Sequence, residues 1–223
     1  MKPFTVRTIS GAVFVAIMLT GLLINQWLFG ILLTLMAVGM FYEYLRLPEA
    51  SKTHRVVGII YILLGMVSLN ALAFLSGTWS GIPVLCIFIM IWGTDVGGYC
   101  IGSSLGKKFN SRKMAPEISP NKTWAGFWGG LVCCVAVAVI MSVTGLLELP
   151  LVAAVILAIL VHVCGVLGDL IESMWKRRVG IKDSGTIIPG HGGLLDRFDS
   201  TLFAAYAAWT FYMVYDLLTG SFA

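Results

Sequence analysis

Apolar residues run along this chain in long blocks. Seven blocks, at about residues 9–24, 27–45, 56–75, 82–101, 124–146, 151–170 and 200–218, predict seven helices. Several exceed the roughly 18 apolar residues that mark a membrane-crossing helix. The first block follows Lys2 and Arg7, has no convincing small-x-small cleavage site and reads as a retained span. The Asn25-Gln26 pair predicts a minimal turn before the second. Glu43, Arg46, Glu49, Lys52, His54 and Arg55 read as a short polar loop after it. Residues 77–81 form an uncharged turn, and 103–122 a basic loop. There is no internal repeat, linker or low-complexity tract. The expectation is an all-α, polytopic transmembrane bundle of about seven spans. It forms one membrane-embedded domain over 1–223, with 1–90 as N-terminal helices and 91–223 as catalytic helices and cytoplasmic loops.

Composition agrees: the 223 residues are 58% hydrophobic and 12% charged, against roughly 25% charged in soluble domains. A net charge of +4 is weak support for nucleic-acid binding, and none is expected. The placement of the charge says more. All fifteen Lys and Arg precede block one or follow blocks two, four and six. The positive-inside rule then predicts a cytoplasmic N-terminus. The five cysteines form no C-x-x-C pair and no zinc spacing, and read as small apolar residues in helices.

One segment stands apart. Residues 168–199, GDLIESMWKRRVGIKDSGTIIPGHGGLLDRFD, hold five of the fifteen basic and five of the eleven acidic residues. Asp169 and Glu172 are three apart, so on a helix they share a face. Asp196 and Asp199 repeat that spacing at the start of the last block. Two pairs of hard oxygen ligands suit Mg²⁺, which takes a few carboxylates, waters and phosphate oxygens. Lys176, Arg177, Arg178, Lys182 and Arg197 supply positive charge for phosphates. The turn Pro189-Gly190-His191-Gly192-Gly193 lets backbone N–H groups approach an anion. Asp95, inside the fourth block, is a functional candidate because an intramembrane carboxylate is costly. His162 reads as a hydrogen-bonded packing residue.

Ser173, Lys176-Arg177, Lys182-Asp183, Gly185, Ile188-Pro189, His191-Gly192-Gly193, Asp196-Arg197 and Asp199 fall at the spacings of a known signature. The segment resembles the phosphatidate cytidylyltransferases, or CDP-diacylglycerol synthases. Trp175 stands where that family usually has an aliphatic residue or Phe. Residues 119–126, SPNKTWAG, resemble a second family element, with Ala125 where many members have Glu. Residues 95–107 resemble a third more loosely, with Ser103 in place of a frequent Arg. The N-terminal part resembles the family in character only and is a short version of it.

The resemblance implies cytidylyl transfer from CTP to phosphatidate, giving CDP-diacylglycerol and pyrophosphate for phospholipid biosynthesis. It implies Mg²⁺ as cofactor, with Asp169, Asp196, Asp199 and Glu172 as ligands. Asp169, Asp196, Lys182 and His191 would be catalytic. Ser119, Lys122, Thr123, Lys176, Arg177, Arg197, Gly192 and Gly193 would bind substrate. The partners would be CTP and membrane phosphatidate, with a homodimer compatible. The location would be the bacterial inner membrane, with the site on the cytoplasmic face. Rivals are a CTP-dependent polyprenol kinase, disfavoured by the closeness of the 173–199 match, and a CDP-alcohol phosphotransferase, whose motif is absent. A transporter would line a path across the bilayer with charge, whereas here charge gathers at one face.

Overall fold

The structure, a computed structural model, describes residues 3–47, 52–108 and 111–221, with backbone alone at 3, 4, 52, 53, 105, 107 and 108. Lys2 and Glu49, and the side chains of Lys52, Lys107 and Lys108, lie outside this description. Seven helices form: α1 (Pro3–Ile24), α2 (Gln26–Arg46), α3 (Lys52–Leu72), α4 (Ile82–Lys108), α5 (Trp124–Val143), α6 (Leu151–Arg178) and α7 (Leu195–Thr219). Six are long and apolar enough by themselves to cross a membrane, and α7 is not among them. The chain is a multi-pass membrane protein. Its lipid-facing surface carries exposed apolar side chains such as Val132, Val143 and Val152, which only a hydrocarbon solvent makes cheap.

The composition of α7 follows from its place. It packs against α6 and α3, and also touches α4 and α2. Ala204, Ala205 and Ala208 are fully buried, as is Leu202. On the face that packs against other helices, small residues allow close approach. The core around it contains Leu22, Met40, Ile62, Leu69, Ile87, Leu157 and Phe198. The α4–α5 pair is also close: a Cβ on Gly97 would fall 2.7 Å from the Gly129 carbonyl oxygen.

Local chemistry sets the helix starts. Asn25 caps α2, its Oδ1 accepting from the Leu28 N–H at 2.9 Å. Thr123 caps α5 through the Gly126 N–H at 3.1 Å, and Ser111 Oγ accepts from the Ala125 N–H at 3.0 Å.

Two expectations are corrected. The basic stretch 103–122 is not one loop. Helix α4 continues to Lys108, and an antiparallel hairpin follows: β1 (Lys113–Ala115) pairs with β2 (Ser119–Thr123). Nor is Glu43 a loop residue. It lies within α2 and is 3% exposed.

The polar ends of the elements meet. Ser10 of α1, Glu43 of α2 and Tyr61 of α3 all hydrogen-bond residues between Ser184 and Asp199. His54, at the start of α3, meets Arg178 at 2.8 Å. The basic connections are thus collected at one end of the bundle, as their placement in the sequence predicts.

Candidate active site

Helix α6 carries Asp169, Glu172, Ser173 and Lys176 through its last turns, spaced to share a face. Two ion pairs tie that face to neighbours. Lys122 Nζ, from β2, stands 2.6 Å from Asp169 Oδ2, and Ser173 Oγ donates to Asp169 Oδ1 at 3.1 Å. The two charged side chains are 24% and 31% exposed, so this pair faces solvent-accessible space. The second pair is buried. Lys176 Nζ stands 2.7 Å from Asp196 Oδ1 and 3.2 Å from Glu172 Oε2.

Asp196 is fully engaged. Its Oδ2 accepts from the N–H groups of Ser184 at 2.9 Å and Gly193 at 2.8 Å. It lies in the polar first turn of α7, before the apolar stretch. Burial opposes its charge, but the Lys176 ammonium and the two N–H donors outweigh it and hold the carboxyl below its ordinary pKa.

Glu172 differs. Its Oε1 is buried without a hydrogen-bond partner, and Asp199 is its neighbour. Tyr61 Oη of α3 donates to the Asp199 backbone carbonyl at 2.8 Å, and the Asp199 Oδ1 accepts from the Ser200 N–H at 2.6 Å. Among the described residues, no group of three or more His, Cys, Asp or Glu side chains closes around a metal position. Magnesium needs fewer, because it keeps waters and takes phosphate oxygens. The buried Glu172 Oε1 beside Asp199 is a donor set of that kind. Asp196 offers Oδ atoms already occupied by Lys176 and the backbone.

Among the described residues, two cavities are bordered by residues of this end. The larger, about 770 Å³, is walled by α4, α5, α6 and the hairpin, with Lys122, Thr123, Asp95 and Asp169 around it and His162 deeper in. The smaller, about 290 Å³, runs between α1, α4 and α7, with Phe14, Met18, Phe88 and Trp92 on its walls. His191, Asp196, Arg197 and Asp199 also line it. Asp95 and Ser200 border both cavities. Asp95 thus stands where the two spaces meet. His162, 1% exposed, pairs its Nδ1 with Thr94 Oγ1 at 3.2 Å, the packing role read from sequence.

The remaining candidates are distributed differently. Ser119 sits in the ladder opposite Ala115 and borders neither cavity. Lys182 is exposed and also borders neither. Arg177 ties α6 to the hairpin and the following loop, donating to the carbonyls of Ile118 at 3.3 Å and Ile181 at 2.9 Å. The Gly-rich turn closes on itself: the His191 N–H reaches Ile188 O and the Ile188 N–H reaches Gly192 O. Gly190 and Gly192 have φ of 77° and 84°, the left-handed region that glycine occupies cheaply. Ser10 Oγ donates to Pro189 O at 2.8 Å and stands 3.0 Å from His191 Nδ1.

Sequence reasoning missed Glu43, Ser10 and Tyr61, which come from the first three helices. Glu43 alone carried a signal, as a carboxylate near the end of an apolar block.

The chain was compared with known proteins. It is 50% identical over 115 residues to the phosphatidate cytidylyltransferase of Bacillus subtilis, a match covering 52% of this chain and 41% of that protein. It is 47% identical over 120 residues to the one of Staphylococcus saprophyticus, covering 54% and 45%. With that of Mycobacterium leprae it shares 45% over 127 residues, covering 57% and 39%. The matched part thus spans less than half the length of these relatives. The cytidylyltransferase family model matches residues 51–215, from the start of α3 through most of α7, and the chain belongs to that family.

Proposed function

We propose that this protein transfers the cytidylyl group of CTP to phosphatidate in the membrane, forming CDP-diacylglycerol and releasing pyrophosphate. The observation that best supports this is the Lys122–Asp169 pair beside a cavity of about 770 Å³ whose inner part is set among membrane helices. Such a site offers charge for phosphates at one end and apolar walls for a lipid beyond.

In the reaction, an oxygen of the lipid phosphate attacks the α-phosphorus of CTP. The bond to the β-phosphate breaks, and pyrophosphate leaves in line. Both reactants are anions, so neutralisation and positioning carry most of the catalysis. Lys122 binds and orients phosphate beside Asp169. Lys176, held by Asp196 and Glu172, adds buried positive charge. Arg197 serves the lipid phosphate from the smaller cavity. The nucleophile is already anionic, so His191 orients the turn and is not needed as a base. Glu172 and Asp199 would hold Mg²⁺, beside the Lys122–Asp169 pair. Magnesium, when bound, supplies further charge stabilisation at phosphate oxygens. The membrane is the bacterial inner membrane, with this end of the bundle at the cytoplasmic face, where CTP is available.

Purified protein given phosphatidate, Mg²⁺ and CTP labelled at the α-phosphate should yield lipid-soluble label. CTP labelled at the γ-phosphate should leave the lipid fraction unlabelled. Label transferred only from the γ-position would establish a kinase instead.

A further inference from the structure

We infer that Glu43 of α2 is a positioning residue for the site, setting the start of α7 and with it Asp196. The inference rests on the proposed cytidylyl transfer for its activity readout. Glu43 lies outside the family-matched segment 51–215.

Helix α7 begins without a side-chain cap of its own, since Leu194 occupies the capping position. Its first N–H groups therefore need partners from elsewhere. Glu43 supplies them from across the bundle. Its Oε1 accepts from the Leu194 N–H at 2.9 Å, and its Oε2 from the Leu195 N–H at 2.9 Å. Ser184 Oγ reaches the same Oε2 at 3.4 Å. The next donor back, the Gly193 N–H, goes to Asp196. Three consecutive N–H groups are thus divided between two carboxylates on different helices. Ser184 links the two, giving its hydroxyl to Glu43 and its N–H to Asp196.

This arrangement also explains two glycines of the polar segment. A Cβ at Gly193 would lie 2.6 Å from Glu43 Oε2, and one at Gly185 would strike the Glu43 carboxyl. Gly185 is kept bare for the Glu43 carboxyl, and Gly193 for that carboxyl together with the Ser184 hydroxyl. Asp196 in turn holds Lys176 at 2.7 Å. A shift of the α7 start would therefore move Asp196 relative to Lys176 and Asp169, both on α6. The effect should fall on turnover, because the groups that contact the larger cavity, Lys122 and Asp169, are attached to other elements.

The test compares Glu43→Gln, Glu43→Asp and Ser184→Ala with the parent, each as full-length protein in detergent or lipid. Glu43→Gln keeps volume but turns an amide N–H₂ toward a backbone donor. The expected result is a fall in kcat of about tenfold or more, with KM for CTP within about threefold, and partial recovery in Glu43→Asp. Amide hydrogen exchange over residues 184–196 should rise in Glu43→Gln. A folded Glu43→Gln with parental kcat overturns the inference, as does a loss that matches the loss of folded protein. If Glu43→Gln does not fold, Ser184→Ala decides: reduced kcat upholds the inference and parental kcat overturns it. If the parent itself transfers no cytidylyl group, the proposed reaction falls. The exchange measurement then judges the clamp alone, and unchanged exchange rejects it.

Discussion

Lys176 Nζ lies 2.7 Å from Asp196 Oδ1, joining the last turn of α6 to the first turn of α7. The two side chains are 10% and 6% exposed. Lys122 and Asp169, the other pair, are more than twice as open. That difference assigns the two pairs different consequences. Breaking a buried pair costs about 3–5 kcal/mol when nothing replaces the lost partner, and here Glu172 remains beside Lys176. Exposed pairs are worth about 0–1 kcal/mol.

Asp196→Asn should therefore lower the thermal midpoint clearly, while Asp169→Asn should leave it close to that of the parent. The pH dependence has a defined sign. Folding depresses the Asp196 pKa, so its stabilisation is present above the unfolded value of about 3.9 and is lost as pH falls through the lower folded value. Thermal scans of parent and Asp196→Asn should differ at neutral pH and converge in strong acid. Equal midpoints at neutral pH would show that the pair does not hold the α6–α7 junction.

Chelation should abolish activity, and Mg²⁺ should restore it, because the available donors are carboxylate oxygens. Glu172→Gln changes the orphaned oxygen's side chain with little change in volume. It should raise the Mg²⁺ concentration needed for half-maximal turnover about tenfold. An unchanged requirement would separate Glu172 from the metal. Full turnover after rigorous chelation would remove the metal from the reaction.

The orientation of the bundle is tested with single cysteines in a background lacking Cys86, Cys100, Cys133, Cys134 and Cys164. Probes at Glu117 and Thr186, both exposed, should react only from the cytoplasm. Probes at Ser76 and Glu148 should react only from outside. Reaction of Thr186→Cys from outside would invert the topology.

Much of this was legible in the sequence, because solvent partition writes itself into composition. Blocks of apolar residues located all seven helices, and the placement of every Lys and Arg located the polar end. The polar start and alanine-rich middle of α7 made it the least apolar helix, the alanines lying where it packs against its neighbours. The hairpin at 113–123 was harder to see, because Lys113, Asn121 and Lys122 read as solvated loop, and the pairing rests on backbone geometry. The division of the carboxylates was not legible at all. Asp169 and Asp196 look equivalent in sequence, but the first meets Lys122 from the hairpin and the second meets Lys176 and two backbone donors. Such choices depend on which distant element arrives beside each residue. Glu43 is the extreme case, since its partners lie at the far end of the chain.

Asp169 stands where the proposed cytidylyl transfer would take place. This placement is tested most directly by measuring turnover of Asp169→Asn, well inserted in lipid, with α-labelled CTP, phosphatidate and saturating Mg²⁺. The expected result is a loss of at least ~10²-fold, or about 2.7 kcal/mol of barrier, with the thermal midpoint little changed. Near-parental turnover would contradict it and would move the chemistry away from the Lys122–Asp169 pair.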